Sequence, residues 1–195
     1  MTGITPLETI HKKGIFGEHH KKNESDLLKI SEIKELNIIQ VFQYKKSEVK
    51  IGSKSIDGIK FPEESPNVNS NDKTRVLWNG PRTWLVISKK ENILEIIGKE
   101  FNPKDFAITD ISHSRAAVQL EGIGASEVIK KGAPINFNEF KKNNCTGTVF
   151  QGINILVDMI DDKPEKINIF VLRSFGESFY HDITDSALEE GYVGI

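Results

Sequence analysis

The sequence predicts an α+β fold of mixed, largely antiparallel sheets with packed helices. Segments rich in β-branched and aromatic residues recur along the chain, and short polar reversals join several of them directly. Three amphipathic stretches are interspersed among these strands without the regular alternation that favours a parallel doubly wound sheet.

Residues 1–25 are polar, with HKKG at His11–Gly14 and GEHHKK from Gly17, and read as an extended or mobile N-terminal arm. Residues 26–195 then read as one α+β domain, with possible sub-lobes at about 26–105 and 106–195. Asn37–Tyr44 (NIIQVFQY) is the first expected strand. Lys45–Gly58 is ambiguous and admits a short helix with Val49 and Ile56 inward. Phe61–Lys73, which holds Pro62 and Pro66, reads as a loop. Strands Thr74–Trp78 and Trp84–Ser88 are joined by Asn79–Arg82 (NGPR). Asn-Gly tolerates positive φ and proline fixes the next one, so a tight reversal is specified. Ile93, Ile96, Ile97 and Phe101 recur at helical spacing within Lys89–Phe101, and Asn102 and Pro103 end that helix.

In the second half, Phe106–Ile111 and Arg115–Glu121 read as strands, the latter alternating Ala117, Gln119 and Glu121 against Val118 and Leu120. Gly124–Lys131 reads as a short helix with Val128 and Ile129 inward, closed by Gly132 as a left-handed cap and Pro134 beyond it. Thr146–Phe150 and Ile153–Met159 form an expected hairpin through Gln151 and Gly152. Lys166–Leu172 is the last expected strand. Ser174–Glu190 is the last helix, with Phe175, Phe179, Ile183 and Ala187 on one stripe and a capping box of Ser174 and Glu177 at its start.

Composition excludes several functions. The net charge is −2 and the isoelectric point near 6.2, with no long basic stretch, so nucleic acid is not an expected partner. Cys145 is the single cysteine, so no intrachain disulfide can form and a reducing, cytoplasmic setting is expected. The first residues lack the apolar core of a signal peptide, and no apolar run approaches the ~20 residues that span a bilayer, so no membrane association is expected.

Several constellations invite chemistry, and each has a plainer reading. His11, His19, His20, His113 and His181 show no metal-ligand spacing and read as solvated histidines. Cys145, followed by TGT, reads as structural before it reads as a nucleophile. Asp110, Ser112 and His113 share a turn, where adjacent residues rarely meet the geometry of a proton relay. Asp110 and Ser112 are expected to bond backbone amides there. The stretch Gly122–Ser126 (GIGAS) departs from a phosphate-binding loop. Trp78 and Trp84 flank the hairpin tip that carries Pro81 and Arg82. Such rings usually pack the core, yet with Pro81 and Arg82 they also suit a protein interface. Arg115 and Arg173 sit at strand boundaries, where planar donors hold carboxylates or neighbouring backbone. Trp78, Pro81, Arg82, Trp84, Arg115 and Arg173 are therefore the candidate interface residues. No catalytic, cofactor-binding or metal-binding residue is assigned.

From about Thr5 to Glu190 the chain resembles the gamma subunit of heterotetrameric sarcosine oxidase. The resemblance rests on Thr5–Leu7 (TPL), Leu77–Val86 (LWNGPRTWLV), Asp110–Val118 (DISHSRAAV), Lys131–Asn136 (KGAPIN) and Val171–Phe179 (VLRSFGESF), in that order. The DISH corner, the following strand, a glycine, a short helix and a later hairpin are also similar to the first, folate-binding domain of aminomethyltransferases. Those enzymes carry a double glycine and paired acids after the hairpin, supplying a carboxylate to folate. Here the corresponding Gln151–Asp158 (QGINILVD) has neither, so their folate site does not carry over.

The resemblance implies a noncatalytic subunit of a complex that converts sarcosine and oxygen to glycine, formaldehyde and hydrogen peroxide. With tetrahydrofolate present, the one-carbon unit leaves as methylenetetrahydrofolate. It implies FAD, FMN, NAD and tetrahydrofolate on the alpha and beta subunits, zinc on delta, and alpha as the direct contact of this chain. The competing expectation is a free-standing folate-binding one-carbon transferase-like protein, with Asp110 or Asp158 as its carboxylate.

Overall fold

A computed structural model describes residues 4–20 and 22–195. The strands of the first half are β1 (Gly14–Phe16), β2 (Leu28–Glu32), β3 (Asn37–Gln43), β4 (Ser55–Ile56), β5 (Ile59–Lys60), β6 (Val68–Ser70), β7 (Thr74–Gly80) and β8 (Thr83–Ser88). Helix α1 (Ile93–Glu100), β9 (Phe106–Asp110), β10 (Arg115–Glu121) and α2 (Ala125–Lys130) follow. The chain continues through β11 (Cys145–Phe150), β12 (Ile153–Asp162), β13 (Glu165–Leu172), α3 (Gly176–Ala187) and β14 (Tyr192–Gly194). The fold is α+β, with sheets that are antiparallel in nearly every pairing.

The chain forms two compact units. Unit 1 comprises Met1–Lys34, Ser114–Lys142 and Gly147–Ile195; unit 2 comprises Glu35–His113 and Asn143–Thr146. The boundaries depart from two consecutive lobes, because unit 1 draws strands from both ends of the chain. Residues 4–20 and 22–25 of the expected arm belong to unit 1; residues 1–3 and 21 lie outside the described residues. Leu7 is fully buried, and β1 pairs antiparallel with β14 through Ile15 and Val193. A few apolar anchors and a strand partner suffice to hold an otherwise polar segment.

Unit 1 is organised by a seven-stranded sheet in the order β1-β14-β2-β10-β13-β12-β11, with β14 parallel to β2. Alternation along β10 places Ala116, Val118 and Leu120 on one face, opposite Val171, Ile169 and Ile167 of β13. That face forms a core with Val128 and Ile129 of α2 and Phe179, Ile183 and Ala187 of α3. Each fully buried side chain of this size contributes roughly 1.5–3 kcal/mol by leaving water.

Two expected caps are replaced by other contacts. Gly132 does not adopt a left-handed cap; a Cβ there would stand 2.7 Å from the buried Phe150 ring, so close packing requires the glycine. At that end the Gly132 and Ala133 amides both donate to the Ile129 carbonyl; at the opposite end the Glu165 carboxylate receives the Ser126 amide and hydroxyl, at 2.8 and 2.6 Å, in the first turn of α2. No capping box forms at Ser174 and Glu177. Arg173–Phe175 is a 3-10 turn, and α3 begins at Gly176, where a Cβ would lie 3.2 Å from Ala116. Phe175 consequently leaves the apolar stripe and is 48% exposed.

Unit 2 contains a five-stranded antiparallel sheet, β6-β7-β8-β3-β9, and the two-stranded β4–β5. Its core gathers Ile39 and Val41 of β3, Val76, Val86, Ile93 and Ile97 of α1, and an aromatic group. Phe61 stands edge-on to Phe101 at 5.0 Å and to Trp84 at 6.0 Å; Phe101 meets Phe106 at 4.7 Å. The ambiguous Lys45–Gly58 holds a 3-10 turn at Ile51–Ser53 and then β4, not an α-helix, while Val49 and Ile56 do pack inward. The expected loop Phe61–Lys73 contains β6, because Val68 and Asn69 find partners on β7.

Candidate subunit interface

The hairpin tip of unit 2 is tight, as expected, with the left-handed position on Arg82 and not on Asn79. Gly80 and Arg82 have φ of 149° and 60°, and the register shifts between Trp78 and Gly80. Trp78 pairs across the strands with Trp84, so both rings share the core face. Trp84 is 3% exposed, and its indole N–H donates to the Pro62 carbonyl at 2.7 Å. It is a core residue and offers no surface to a partner. Trp78 packs at the margin of the same core. The exposed tip is left to Pro81 and Arg82, whose Nη1 donates to the Tyr44 carbonyl at 3.0 Å. Phe42, 39% exposed and edge-on to Tyr44, adds apolar area on β3 that its sequence position in a strand did not reveal.

In unit 1, Arg115 opens β10 opposite Leu172, the last residue of β13. The Arg115 guanidinium contacts the Ser114 carbonyl and hydroxyl at 3.4 and 3.3 Å, and partial burial lowers its pKa below the ordinary arginine value. Arg173 donates from Nη2 to the Ile4 carbonyl at 2.6 Å. Leu172, paired with Arg115, is 41% exposed; Ile4, bonded to Arg173, and Phe175 are 71% and 48% exposed. Leu172 was hidden from sequence reasoning by its place at the end of an apolar strand, and Phe175 by its helical spacing.

The Asp110–His113 corner lies in unit 2. Asp110 Oδ1 receives the Ser112 amide at 2.9 Å and the Ser112 hydroxyl at 2.6 Å, and the Ser112 oxygen accepts the Ile38 amide at 2.9 Å. The Ser112 hydroxyl first, then the Ser112 amide and the nearby His113, hold the Asp110 carboxyl below the usual carboxylate range. The hydroxyl is engaged as donor and acceptor at once, finishing the β3–β9 ladder beside the Ile111-to-Ile38 bond. Its arrangement is that of a strand-end cap.

Asp110 is one of the two carboxylates expected as folate candidates; the other, Asp158, lies in unit 1. Ser31, Gln119, Asn168 and Asp158 form one row across β2, β10, β13 and β12. Gln119 donates to Asn168 at 2.7 Å. Asp158 is fully buried, and no buried side-chain oxygen or nitrogen among the described residues lacks a hydrogen-bond partner. A carboxylate already engaged within the protein is a poor fit to the free acceptor that a pteridine ring needs.

Among the remaining candidates, His11 and Cys145 are also engaged locally. His11 bridges the Tyr180 hydroxyl and the Ile195 oxygen, each at 2.7 Å, and burial pushes the Tyr180 hydroxyl up to about 12. The Ile195 oxygen can only accept, so Nε2 of His11 carries a proton. Among the described residues, no three histidine, cysteine or acidic side chains are grouped to hold a metal. Cys145 is 1% exposed, with Sγ directed at the Trp78 carbonyl at 3.2 Å.

The fold is of the aminomethyltransferase class. Glycine cleavage system aminomethyltransferase T from Bartonella henselae superposes with a TM-score of 0.65 at 13% identity, over 97% of this chain and 58% of that one. A heterotetrameric sarcosine oxidase from Corynebacterium sp. U-96, in complex with pyrrole 2-carboxylate, superposes with a TM-score of 0.82 at 19% identity, over 97% of both chains. In sequence the chain resembles sarcosine oxidase subunit gamma from Corynebacterium sp. (strain U-96), 27% identical over 119 residues, or 60% of this chain. That alignment spans 57% of the relative. No protein-family model matches.

Proposed function

We propose that the chain is the gamma subunit of a heterotetrameric sarcosine oxidase and supplies contact surface, with the reaction carried by its partners. The observation that carries this reading is the sequence similarity to a sarcosine oxidase gamma subunit, supported by a shared fold along 97% of both chains in the solved oxidase. The engaged state of Asp158 and of the Asp110–Ser112 corner agrees with it, since function follows the site and not the scaffold.

In this reading alpha is the direct contact, beta and delta complete the complex, and FAD, FMN, NAD, tetrahydrofolate and zinc reside on those partners. The assembly acts on sarcosine in the cytoplasm. No helix among the described residues is long and apolar enough to cross a membrane. Pro81, Arg82, Arg115 and Arg173 remain candidate contacts, with Trp78 at the edge of one of them.

The test is sarcosine-dependent peroxide production by the partner subunits with this chain present, with it omitted, and by this chain alone. Production by the complete set, its loss on omission and none from the lone chain are expected. Turnover by the lone chain, or undiminished turnover without it, contradicts the reading.

A further inference from the structure

We propose that β9, the outer strand of the unit 2 sheet, receives an extended segment of a partner subunit as an added strand. The inference rests on the subunit reading above and narrows it to one edge and one mode of contact.

The hydrogen-bond ladder leaves this edge open. β9 ends the five-stranded sheet, with β3 as its neighbour. The Tyr44 amide donates to the Asp105 carbonyl at 2.8 Å and the Ile111 amide to the Ile38 carbonyl at 2.9 Å, which fixes the phase of the ladder. Antiparallel bonds alternate, so Asp105, Ala107, Thr109 and Ile111 turn their main-chain groups to β3, and Phe106, Ile108 and Asp110 turn theirs away. The Phe106 amide is taken up by the Asn102 carbonyl at 3.0 Å. Among the described residues, nothing in the chain bonds the Phe106 carbonyl or the main-chain amides and carbonyls of Ile108 and Asp110.

The opposite edge is closed. On β6 the Val68 amide donates to the Asn143 carbonyl at 2.9 Å, and Asn67 bridges Asn144. β9 also lacks the devices that usually blunt an edge: it carries no lysine, proline or register shift, and the Asp110 carboxylate is turned to Ser112.

The edge selects its occupant. Main-chain donors and acceptors repeating every second residue along one line match an extended backbone. Ile108 packs partly buried against the unit 2 core, so a side chain set opposite it extends that core and is expected to be apolar. β9 has five residues, a line of about 17 Å, too short to bury by itself the roughly 1,000 Å² of a stable association. The added strand therefore belongs to a chain already held at other contacts, as a subunit of a complex is, and not to a second copy joined through this edge alone.

The test is hydrogen exchange resolved to single amides, on the full chain alone and assembled with its sarcosine oxidase-type partner subunits. Assembly is expected to slow the Ile108 and Asp110 amides roughly tenfold or more relative to those of Ala107 and Thr109, which β3 already holds. Ile108→Pro removes an outward amide and no bond to β3, a placement that edge strands tolerate, and is expected to weaken binding to the partner assembly roughly tenfold or more. Ile108→Val keeps the amide and is expected to bind as the parent does. Circular dichroism identifies a proline variant that fails to fold, in which case exchange on the parent decides. No relative slowing at Ile108 and Asp110, parent-like binding by a folded Ile108→Pro, or an equal loss in Ile108→Val overturns the added strand while leaving the subunit reading intact. So does protection of Ile108 in the lone chain that vanishes on dilution, which identifies a second copy at the edge. Failure of the parent chain itself to bind the assembly overturns the subunit reading and this inference with it.

Discussion

Ser112→Ala tests whether the DISH corner is a strand-end cap. The Ser112 hydroxyl accepts the amide of Ile38, a residue only 2% exposed, at 2.9 Å, and donates to Asp110 at 2.6 Å. Alanine removes the acceptor without giving the amide another, and a stranded buried donor costs about 1–3 kcal/mol. With a urea m-value of about 2 kcal/mol/M, a loss of roughly 2 kcal/mol moves the unfolding midpoint by about 1 M. Both tryptophans, Trp78 and Trp84, lie in unit 2 with the corner, so their fluorescence reports the transition that matters. Urea titration of the parent, Ser112→Ala and Ser112→Thr is the assay. The threonine variant keeps an oxygen in place and should retain most of the stability. A Ser112→Ala midpoint within about 0.25 M of the parent, which at that m-value is the roughly 0.5 kcal/mol of an ordinary surface change, would refute the cap.

Gly132→Ala places a methyl 2.7 Å from the buried Phe150 ring and should cost about 1–3 kcal/mol in thermal or urea unfolding. Trp84→Phe leaves the Pro62 carbonyl without its 2.7 Å donor and opens space beside Phe61, a loss of roughly 2–4 kcal/mol by calorimetry. Asp110 and Asp57 have pKa values lowered from 3.8, chiefly by the Ser112 hydroxyl and by Lys90 respectively. Their folded-state pKa values lie below the unfolded ones, so the stability they contribute is present above the unfolded value and lost as pH falls through the folded values. Unfolding midpoints measured from neutral to strongly acid pH should decline most steeply at the acid end, and less steeply in Ser112→Ala.

Much of the sheet was legible because alternation has a physical cause in burial on one face. β10 was readable from its own residues, and its register with β13 puts Ala116, Val118 and Leu120 opposite equally apolar partners. The NGPR reversal was readable from Gly80, whose φ is 149°, and Pro81, although the left-handed position falls on Arg82 and not on Asn79. The short strands β1, β2, β6 and β14 were not, because three to five residues carry too little pattern; β1, β2 and β14 take their conformation from strands distant in sequence, and β6 from its neighbour β7. Local capping rules misled at Ser174 and Gly132, where Gly176 against Ala116 and Gly132 against Phe150 answer to tertiary packing. Helical spacing assigned Phe175 to the core, yet the 3-10 turn before α3 rotates it outward. At the candidate interface, arginines were recognisable by type and position. Which apolar residues stand beside them depended on strand ends and turn geometry that a single sequence does not encode locally.

Native mass spectrometry of the tagged chain, expressed together with alpha, beta and delta chains of the sarcosine oxidase type, weighs the subunit account most directly. The account predicts one assembly holding a single copy of this chain beside one of each partner. Recovery of the chain only as a monomer or as a homo-oligomer, with the other three assembled without it, would contradict it.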